Sequence, residues 1–171
     1  MRAKGTNHRC ENTELRSSRE IERKFLIPTA PPNLRTYPHH RIRQGYVGIP
    51  DEMNEIRLRQ KGDCFYLTVK SGSGLSRTER EITLSRGQFK TLWFCTQRKR
   101  IEKTRYEVCH RGHTIELDVY EGDHSGLVTA EVEFGSLRDS RKFKRPDWLG
   151  PEITHDERYK KRSLALDGIP E

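Results

Sequence analysis

Apolar and polar residues alternate along much of this chain with the two-residue period of β-strands. In the first clear case, Glu20, Glu22 and Lys24 share one parity, while Ile21 and Phe25 share the other. Successive side chains of a strand point to opposite faces of the sheet. This segment therefore predicts a strand with one charged face and one apolar face.

The same alternation predicts further strands, several of them joined by short turns. Gly62-Asp63 and the Gly- and Ser-rich stretch 71–74 mark two of these turns. The predicted strand ranges after the first are 42–49, 54–60, 64–70, 76–84, 101–109, 114–121 and 126–134.

A smaller part of the chain has the period of helices. A helix is predicted over residues 86–95, where Ser85 is a typical N-cap and Phe89 and Trp93 recur at helical spacing. The C-terminal predictions are a helix over 136–143, a short helix that Thr154 caps and that runs through Lys160, and a tail over 163–169 that packs back on the body.

Strands joined mainly by short turns favour an antiparallel meander, and about eight strands are enough to close into a barrel. We therefore predict an α+β fold that is mainly β: a closed eight-stranded antiparallel barrel with a few flanking helices. Residues 1–18 are polar, basic and aperiodic, which predicts a flexible N-terminal tail. The remaining residues, 19–171, are predicted to form a single domain.

One face of the predicted sheet carries ionisable side chains of both signs. Antiparallel sheets commonly turn one polar face to water, so a solvated face is the simplest alternative. Acidic residues, however, concentrate on the first, seventh and eighth strands, and cations concentrate on the third, fourth and sixth. Such segregation disfavours an ordinary solvated face, because like charges side by side repel each other. The members of this face are Glu20, Glu22, Lys24, Glu55, Arg57, Arg59, Tyr66, Thr68, Lys70, Arg77, Glu79, Glu81, Lys103, Arg105, Glu116, Asp118, Tyr120, Thr129, Glu131 and Glu133.

If the sheet closes, this face lines a water-filled tunnel. Carboxylates are ligands for Mg²⁺, which in proteins also contacts substrate phosphates. Arginine offers a planar fork for phosphate oxygens, and lysine offers a point charge. A metal ion together with such cations suits phosphoryl transfer, and a tunnel lined along its length could hold a linear triphosphate.

The composition limits the classes of partner. Lys and Arg outnumber Asp and Glu by 33 to 25, and the net charge of +8 favours anionic partners. The charged fraction is 34 %, but the strand patterns argue against disorder for most of the chain.

The four cysteines form no CxxC pair, which argues against a disulfide framework or a zinc site and favours the cytoplasm. No apolar run has the length of a membrane span, and no P-loop or Gly-rich dinucleotide motif occurs.

The sequence resembles the CYTH superfamily, the triphosphate tunnel metalloenzymes. Glu20-Ile-Glu-Arg-Lys24 is similar to the ExExK signature near the N-terminus of that family, and the resemblance extends from Arg19 to the C-terminus. An ordered set of motifs is more specific than ExExK alone, and the likeness is greatest to short bacterial tripolyphosphatases. The other matching segments are Glu55-Ile-Arg-Leu-Arg59, Leu67-Thr-Val-Lys70, Gly74-Leu-Ser-Arg-Thr-Glu79, Lys103-Thr-Arg-Tyr106, Glu116-Leu-Asp-Val-Tyr120, Ala130-Glu-Val-Glu-Phe134 and Asp156-Glu-Arg-Tyr-Lys160.

The resemblance implies an eight-stranded tunnel and hydrolysis of triphosphates that depends on Mg²⁺ or Mn²⁺. By motif position, the implied metal ligands are Glu20, Glu22, Asp118, Glu131 and Glu133. The implied phosphate-binding residues are Lys24, Arg57, Arg59, Lys70, Arg77 and Arg105, with Lys160 on a C-terminal helix that closes one mouth. Two features depart from the family pattern: residues 1–18 precede a motif that usually begins such chains, and Lys161 stands where the pattern often has Asn.

Two hypotheses concern the base that activates water. Lys103 lies among cations, and desolvation at this position would add to their effect, since both lower the pKa of a lysine. A neutral Lys103, paired with Tyr46, could accept the proton of the attacking water. The alternative base is Glu79 or Glu81 beside a second metal ion.

The principal functional expectation is metal-dependent hydrolysis of inorganic tripolyphosphate, a small polyanion. The alternatives are a broader nucleoside or thiamine triphosphatase, an adenylate cyclase of the same fold, and a non-catalytic module that binds polyphosphate or RNA. Carboxylates interleaved with the cations disfavour a nucleic-acid partner, because they repel its backbone. A membrane partner is not expected, and a homodimer is left open.

Overall fold

The computed structural model describes residues 21–48, 54–71 and 78–171. The predicted tail over 1–18 lies outside these ranges and stays a prediction. The strands are β1 Ile21–Leu26, β2 His39–Val47, β3 Asn54–Lys61, β4 Cys64–Ser71, β5 Thr78–Leu84, β6 Arg100–His110, β7 His113–Glu121 and β8 Val128–Phe134. The α-helices are α1 Arg86–Trp93, α2 Leu137–Lys142 and α3 Lys161–Asp167.

The described strands form one eight-stranded sheet in the order β1-β8-β7-β6-β2-β3-β4-β5. Every pairing between neighbours is antiparallel. The mainly β, antiparallel, eight-stranded fold is therefore confirmed. In the ranges described, β1 and β5 are the two edges of the sheet and no ladder joins them, so closure into a complete barrel stays a prediction.

The pairing register places the predicted charged residues on one face of the sheet. Arg57 lies opposite Thr68, which lies opposite Glu81, and Arg105 lies opposite Asp118. This face is enclosed rather than solvated, because charged side chains in its middle are shielded from water. Asp118, for example, is 0 % exposed. Burial of this kind requires the sheet to curl around its own polar side.

The opposite face of the sheet carries the apolar core, which the helices and the loops after them cover. Phe25, Leu117 and Val132 from β1, β7 and β8 pack with Phe143 and Leu149, which follow α2. A second cluster joins Leu58, Phe65 and Leu84 to Phe89 of α1. The outer face is not apolar throughout, because Arg41 and Arg43 of β2 pair there with Glu102 of β6.

Helix α1 confirms the predicted N-cap. The Ser85 side chain accepts from the backbone N–H of Gln88, and the Gln88 side chain accepts from the backbone N–H of Ser85. This reciprocal pair is a capping box, which satisfies two backbone N–H groups at the N-terminus of the helix. The ring of Phe89 then packs on Phe65 with centroids 4.9 Å apart, which fixes α1 on β4.

The C-terminal segment differs from its prediction. Thr154 caps no helix; its hydroxyl accepts from the backbone N–H of Lys24 and donates to Glu152. A 3-10 turn occupies Glu157–Tyr159, and α3 lies over Lys161–Asp167, where only a packed tail is predicted. Helix α3 forms because Leu164 is buried against the sheet, and it ends at Gly168, whose φ of 85° suits glycine.

Two further expectations concern the chain as a whole. Across the described ranges, every helix is too short or too polar to pass through a bilayer. Among the described residues, Cys95 and Cys109 are free thiols.

Candidate active site

Lys103, Arg105 and Asp118 form the centre of the enclosed polar face. Adjacent strands β6 and β7 bring them together, with Arg105 opposite Asp118 and Lys103 opposite Tyr120. The Arg105 guanidinium donates from Nε to Asp118 Oδ1 and from Nη2 to Asp118 Oδ2, both at 2.7 Å. The Lys103 ammonium donates to Asp118 Oδ2 and lies 5.4 Å from the centre of the Tyr120 ring.

Burial sets the protonation of this group. Desolvation lowers the pKa of Lys103 to about 7, although the charge of Asp118 opposes the shift. Desolvation would raise the pKa of Asp118, but Arg105 and Lys103 outweigh it and hold that pKa at about 2. Near neutral pH, Asp118 is therefore an anion and Lys103 exchanges readily between its charged and neutral forms.

Glu131 on β8 lies at the meeting point of three cations. Its Oε2 accepts from Lys161 Nζ at 2.8 Å and from Arg105 Nη2 at 3.1 Å, and its Oε1 lies 3.3 Å from Lys24 Nζ. Burial would raise the pKa of Glu131, but Lys161, Lys24 and Arg105 hold it well below its usual value. Glu131 is thus an anion whose oxygens already have cationic partners.

Arg57 and Arg59 on β3 form a second cationic region with carboxylates of β5. Arg59 donates to Glu81 at 2.9 Å, and Arg57 donates to Thr68 at 3.2 Å. The Nε atoms of both arginines are buried, and no described protein group accepts their protons. Buried donors without an acceptor are costly, so these two atoms mark the region as a candidate site for an anionic ligand.

The carboxylates of β5 are engaged as counter-ions. Lys70 Nζ lies 2.8 Å from Glu79 Oε2. Burial would raise the pKa of Glu79, but the hydrogen bond and charge of Lys70, together with Arg57 and Arg59, hold it below its usual value. Glu81 accepts a hydrogen bond from Thr68 at 2.7 Å in addition to that from Arg59.

The expected pairing of Lys103 with Tyr46 is not found in the structure. On β2 the register partner of Lys103 is Ile42, and Tyr46 lies four residues further along, about 13 Å at the rise of a strand. The Tyr46 hydroxyl accepts instead from Gln44 Nε2 at 3.0 Å, and burial raises the pKa of Tyr46. Lys103 contacts Asp118 and Tyr120 in its place.

A cavity of about 100 Å³ opens at one end of the polar face, beside Glu22, Glu131 and Lys161. Glu22 lies opposite Glu133 on neighbouring strands, and both are exposed. Their carboxylate chemistry suits a hard divalent cation. Within the described ranges, however, no three acidic, His or Cys side chains form a ready cluster for a metal ion. Two predicted site residues, Glu20 and Arg77, lie outside the described residues.

Lys161 is the site residue that the sequence reasoning missed, because it was noted only as a departure from the family pattern. The prediction placed Lys160 at the mouth instead. Lys160 lines the cavity, but its ammonium is paired with Glu157 at 2.6 Å near the surface. The adjacent Lys161 is the residue that reaches Glu131. A helix predicted to begin at Lys161 would have shown that the side chains of Lys160 and Lys161 point in different directions.

Comparisons with known proteins agree with this architecture. The family model of the CYTH domain matches residues 18–163. An inorganic triphosphatase of Nitrosomonas europaea is 46 % identical over 149 residues, which cover 86 % of this chain and 97 % of that protein. An inorganic triphosphatase of Acetivibrio thermocellus is 38 % identical over 150 residues, covering 86 % and 93 %. The crystal structure of the inorganic triphosphatase NE1496 superposes with a TM-score of 0.73 at 42 % identity, covering 90 % of this chain and 98 % of that one.

Proposed function

Because this chain belongs to the CYTH domain family, we propose that it hydrolyses inorganic tripolyphosphate with the help of a divalent metal ion. The observation that carries the proposal is the enclosed polar face, where the buried Nε atoms of Arg57 and Arg59 lack acceptors. Two relatives named inorganic triphosphatase, each matching 86 % of this chain, support the choice of substrate. A linear polyanion would supply the missing acceptors along that face.

The proposed roles follow the chemistry of the side chains. Cations hold the phosphate chain, and carboxylates near the cavity hold Mg²⁺ or Mn²⁺. When bound, the metal ion neutralises charge on the phosphate oxygens. The proposed phosphate-binding set is Lys24, Arg57, Arg59, Lys70, Arg77, Arg105 and Lys160, and the proposed metal-binding set is Glu20, Glu22, Glu131 and Glu133. Asp118 is left out of the metal-binding set because both of its oxygens are bonded to Arg105 or Lys103.

Lys103 is the general base in this proposal. A water molecule attacks a terminal phosphorus atom, its proton passes to the neutral Lys103 amine, and the bridging P–O bond breaks. The products are pyrophosphate and orthophosphate. Asp118 fixes the position of Lys103, since it bonds both Lys103 and Arg105. Glu79 and Glu81 are poorer candidates because each is already paired with a cation.

Substrate choice is tested by phosphate release from tripolyphosphate, ATP, thiamine triphosphate and pyrophosphate, each with Mg²⁺, Mn²⁺ or Ca²⁺. We expect tripolyphosphate to give the highest kcat/KM. A higher value for ATP or thiamine triphosphate would redirect the proposal to a broader triphosphatase. Tight RNA binding in EDTA without any hydrolysis would favour the binding module.

Metal removal is expected to abolish turnover. Without a divalent ion, the carboxylates of the site and the phosphate chain repel each other, and nothing neutralises the charge that develops on the leaving group. Phosphate release should fall to background after dialysis against EDTA and return on addition of Mg²⁺ or Mn²⁺. Undiminished release in EDTA would show that the protein cations alone suffice.

Arg59→Ala is expected to raise KM for tripolyphosphate and to lower kcat/KM by about 10- to 100-fold, because a charge-assisted hydrogen bond contributes about 1.5–3 kcal/mol. The matched control is Arg86→Ala, which removes the same charge from α1 on the outer side of the sheet. Arg86 is exposed and pairs with Asp63. Equal losses in the two variants would indicate a general effect of net charge.

A further inference from the structure

We propose that Lys161 is a built-in cation that competes with the divalent metal ion for Glu131, so that the metal ion binds only as the Lys161 ammonium leaves. The inference rests on the proposed function in one respect, the assignment of Glu131 as a metal ligand. Beyond the proposed function, the inference assigns to Lys161 a role in setting the affinity of the site for the metal ion.

The Lys161 ammonium occupies a position beside a Glu131 oxygen where a metal ion would bind. Lys161 Nζ lies 2.8 Å from Glu131 Oε2, at the cavity that Glu22 also lines. Mg²⁺ takes oxygen ligands at about 2.0–2.1 Å. A metal ion at that distance from Glu131 and an ammonium group on the same oxygen would repel each other strongly at such short range.

Of the three cations on Glu131, Lys161 is the one that can leave. Arg105 is held by both oxygens of Asp118, and Lys24 Nζ donates to the Tyr159 carbonyl at 2.6 Å. Within the described residues, Lys161 Nζ bonds or ion-pairs with Glu131 alone. Its side chain is 26 % exposed, against 9 % for Lys24 and 12 % for Arg105.

The position of Lys161 on its helix favours such movement. Lys161 is the first residue of α3, and the buried anchors of that helix, Leu164 and Ala165, come later. The long side chain can therefore turn towards the cavity opening without disturbing the packing of α3. Its ammonium would regain water as it leaves, which offsets much of the lost ion pair.

The experiment measures Mn²⁺ affinity without any phosphate, by the electron paramagnetic resonance signal of free Mn²⁺. Lys161→Met keeps the aliphatic stem and removes the charge, and Lys161→Arg keeps the charge. Lys90→Met changes net charge equally at an exposed position of α1. We expect Lys161→Met to bind Mn²⁺ about tenfold more tightly than the wild type, and the other two variants to stay within about twofold of it.

Three results would overturn the inference: equal affinity of Lys161→Met and the wild type, no Mn²⁺ binding by either, or an equal gain in Lys90→Met. If Lys161→Met does not fold, judged by circular dichroism, Lys161→Gln takes its place. The readout is independent of the proposed reaction, since it contains no substrate. Tighter Mn²⁺ binding without tripolyphosphate hydrolysis would sustain this inference and reject the proposed function; hydrolysis with unchanged affinity would do the reverse.

Discussion

Replacing Lys103 with alanine is expected to lower the turnover of tripolyphosphate by about 10²- to 10⁴-fold, the usual contribution of a general base. Burial gives Lys103 a pKa of about 7, so a neutral amine is available near physiological pH. The fold should survive the change, because Asp118 keeps both of its hydrogen bonds to Arg105. The measurement is the steady-state rate at saturating tripolyphosphate and Mg²⁺.

The Lys103→Arg variant distinguishes a general base at this position from a residue that only binds phosphate. Arginine keeps the positive charge but does not lose its proton in a protein, so it can bind phosphate and cannot accept a proton from water. We expect Lys103→Arg to be about as slow as Lys103→Ala. A rate restored by arginine would assign Lys103 to phosphate binding, and an unchanged rate in Lys103→Ala would end its candidacy as the base.

Replacing Asp118 with alanine is expected to lower the free energy of unfolding by about 3–5 kcal/mol, the cost of breaking a buried ion pair. Asp118 is fully buried and bonds both Arg105 and Lys103. Lys103 can respond by losing its proton, but Arg105 cannot. Among the described residues, Arg105 would keep Glu131 and Glu116 as counter-ions. Urea unfolding followed by circular dichroism gives the difference.

Asp147→Ala is the matched control for stability. Asp147 is exposed in the segment after α2, so its removal should change the free energy of unfolding by less than about 0.5 kcal/mol. An Asp118→Ala protein as stable as this control would mean that the buried cluster contributes little to folding. The hydrogen bonds of Asp118 would then not be what holds Lys103 in place.

The composition of the polar face could be predicted from the sequence because it depends on a local rule. In a strand, residues of one parity share a face, so Lys103 and Arg105 had to lie together, as did Asp118 with Glu116. The connection by short turns then made antiparallel neighbours of β6 and β7. No long-range information was needed to expect that these side chains converge.

The pairing of charges within that face could not be predicted, because it depends on register and on side-chain reach. The acidic strands and the cationic strands predicted from the sequence do not form separate regions. Arg105 bonds Asp118 and Glu131, and Arg59 bonds Glu81. The distance from Lys103 to Tyr46 likewise follows from register. Lys161 was missed because the start of α3 decides which of two adjacent lysines faces the cavity.

The enclosed charged face is expected to bind tripolyphosphate and to cleave it with the help of a metal ion. A ³¹P nuclear magnetic resonance time course of the wild-type protein with tripolyphosphate and Mg²⁺ tests this expectation most directly. The tripolyphosphate signals should decay while pyrophosphate and orthophosphate appear in equal amounts, and EDTA should stop the change. Tripolyphosphate signals that persist unchanged with Mg²⁺ and folded protein present would contradict it.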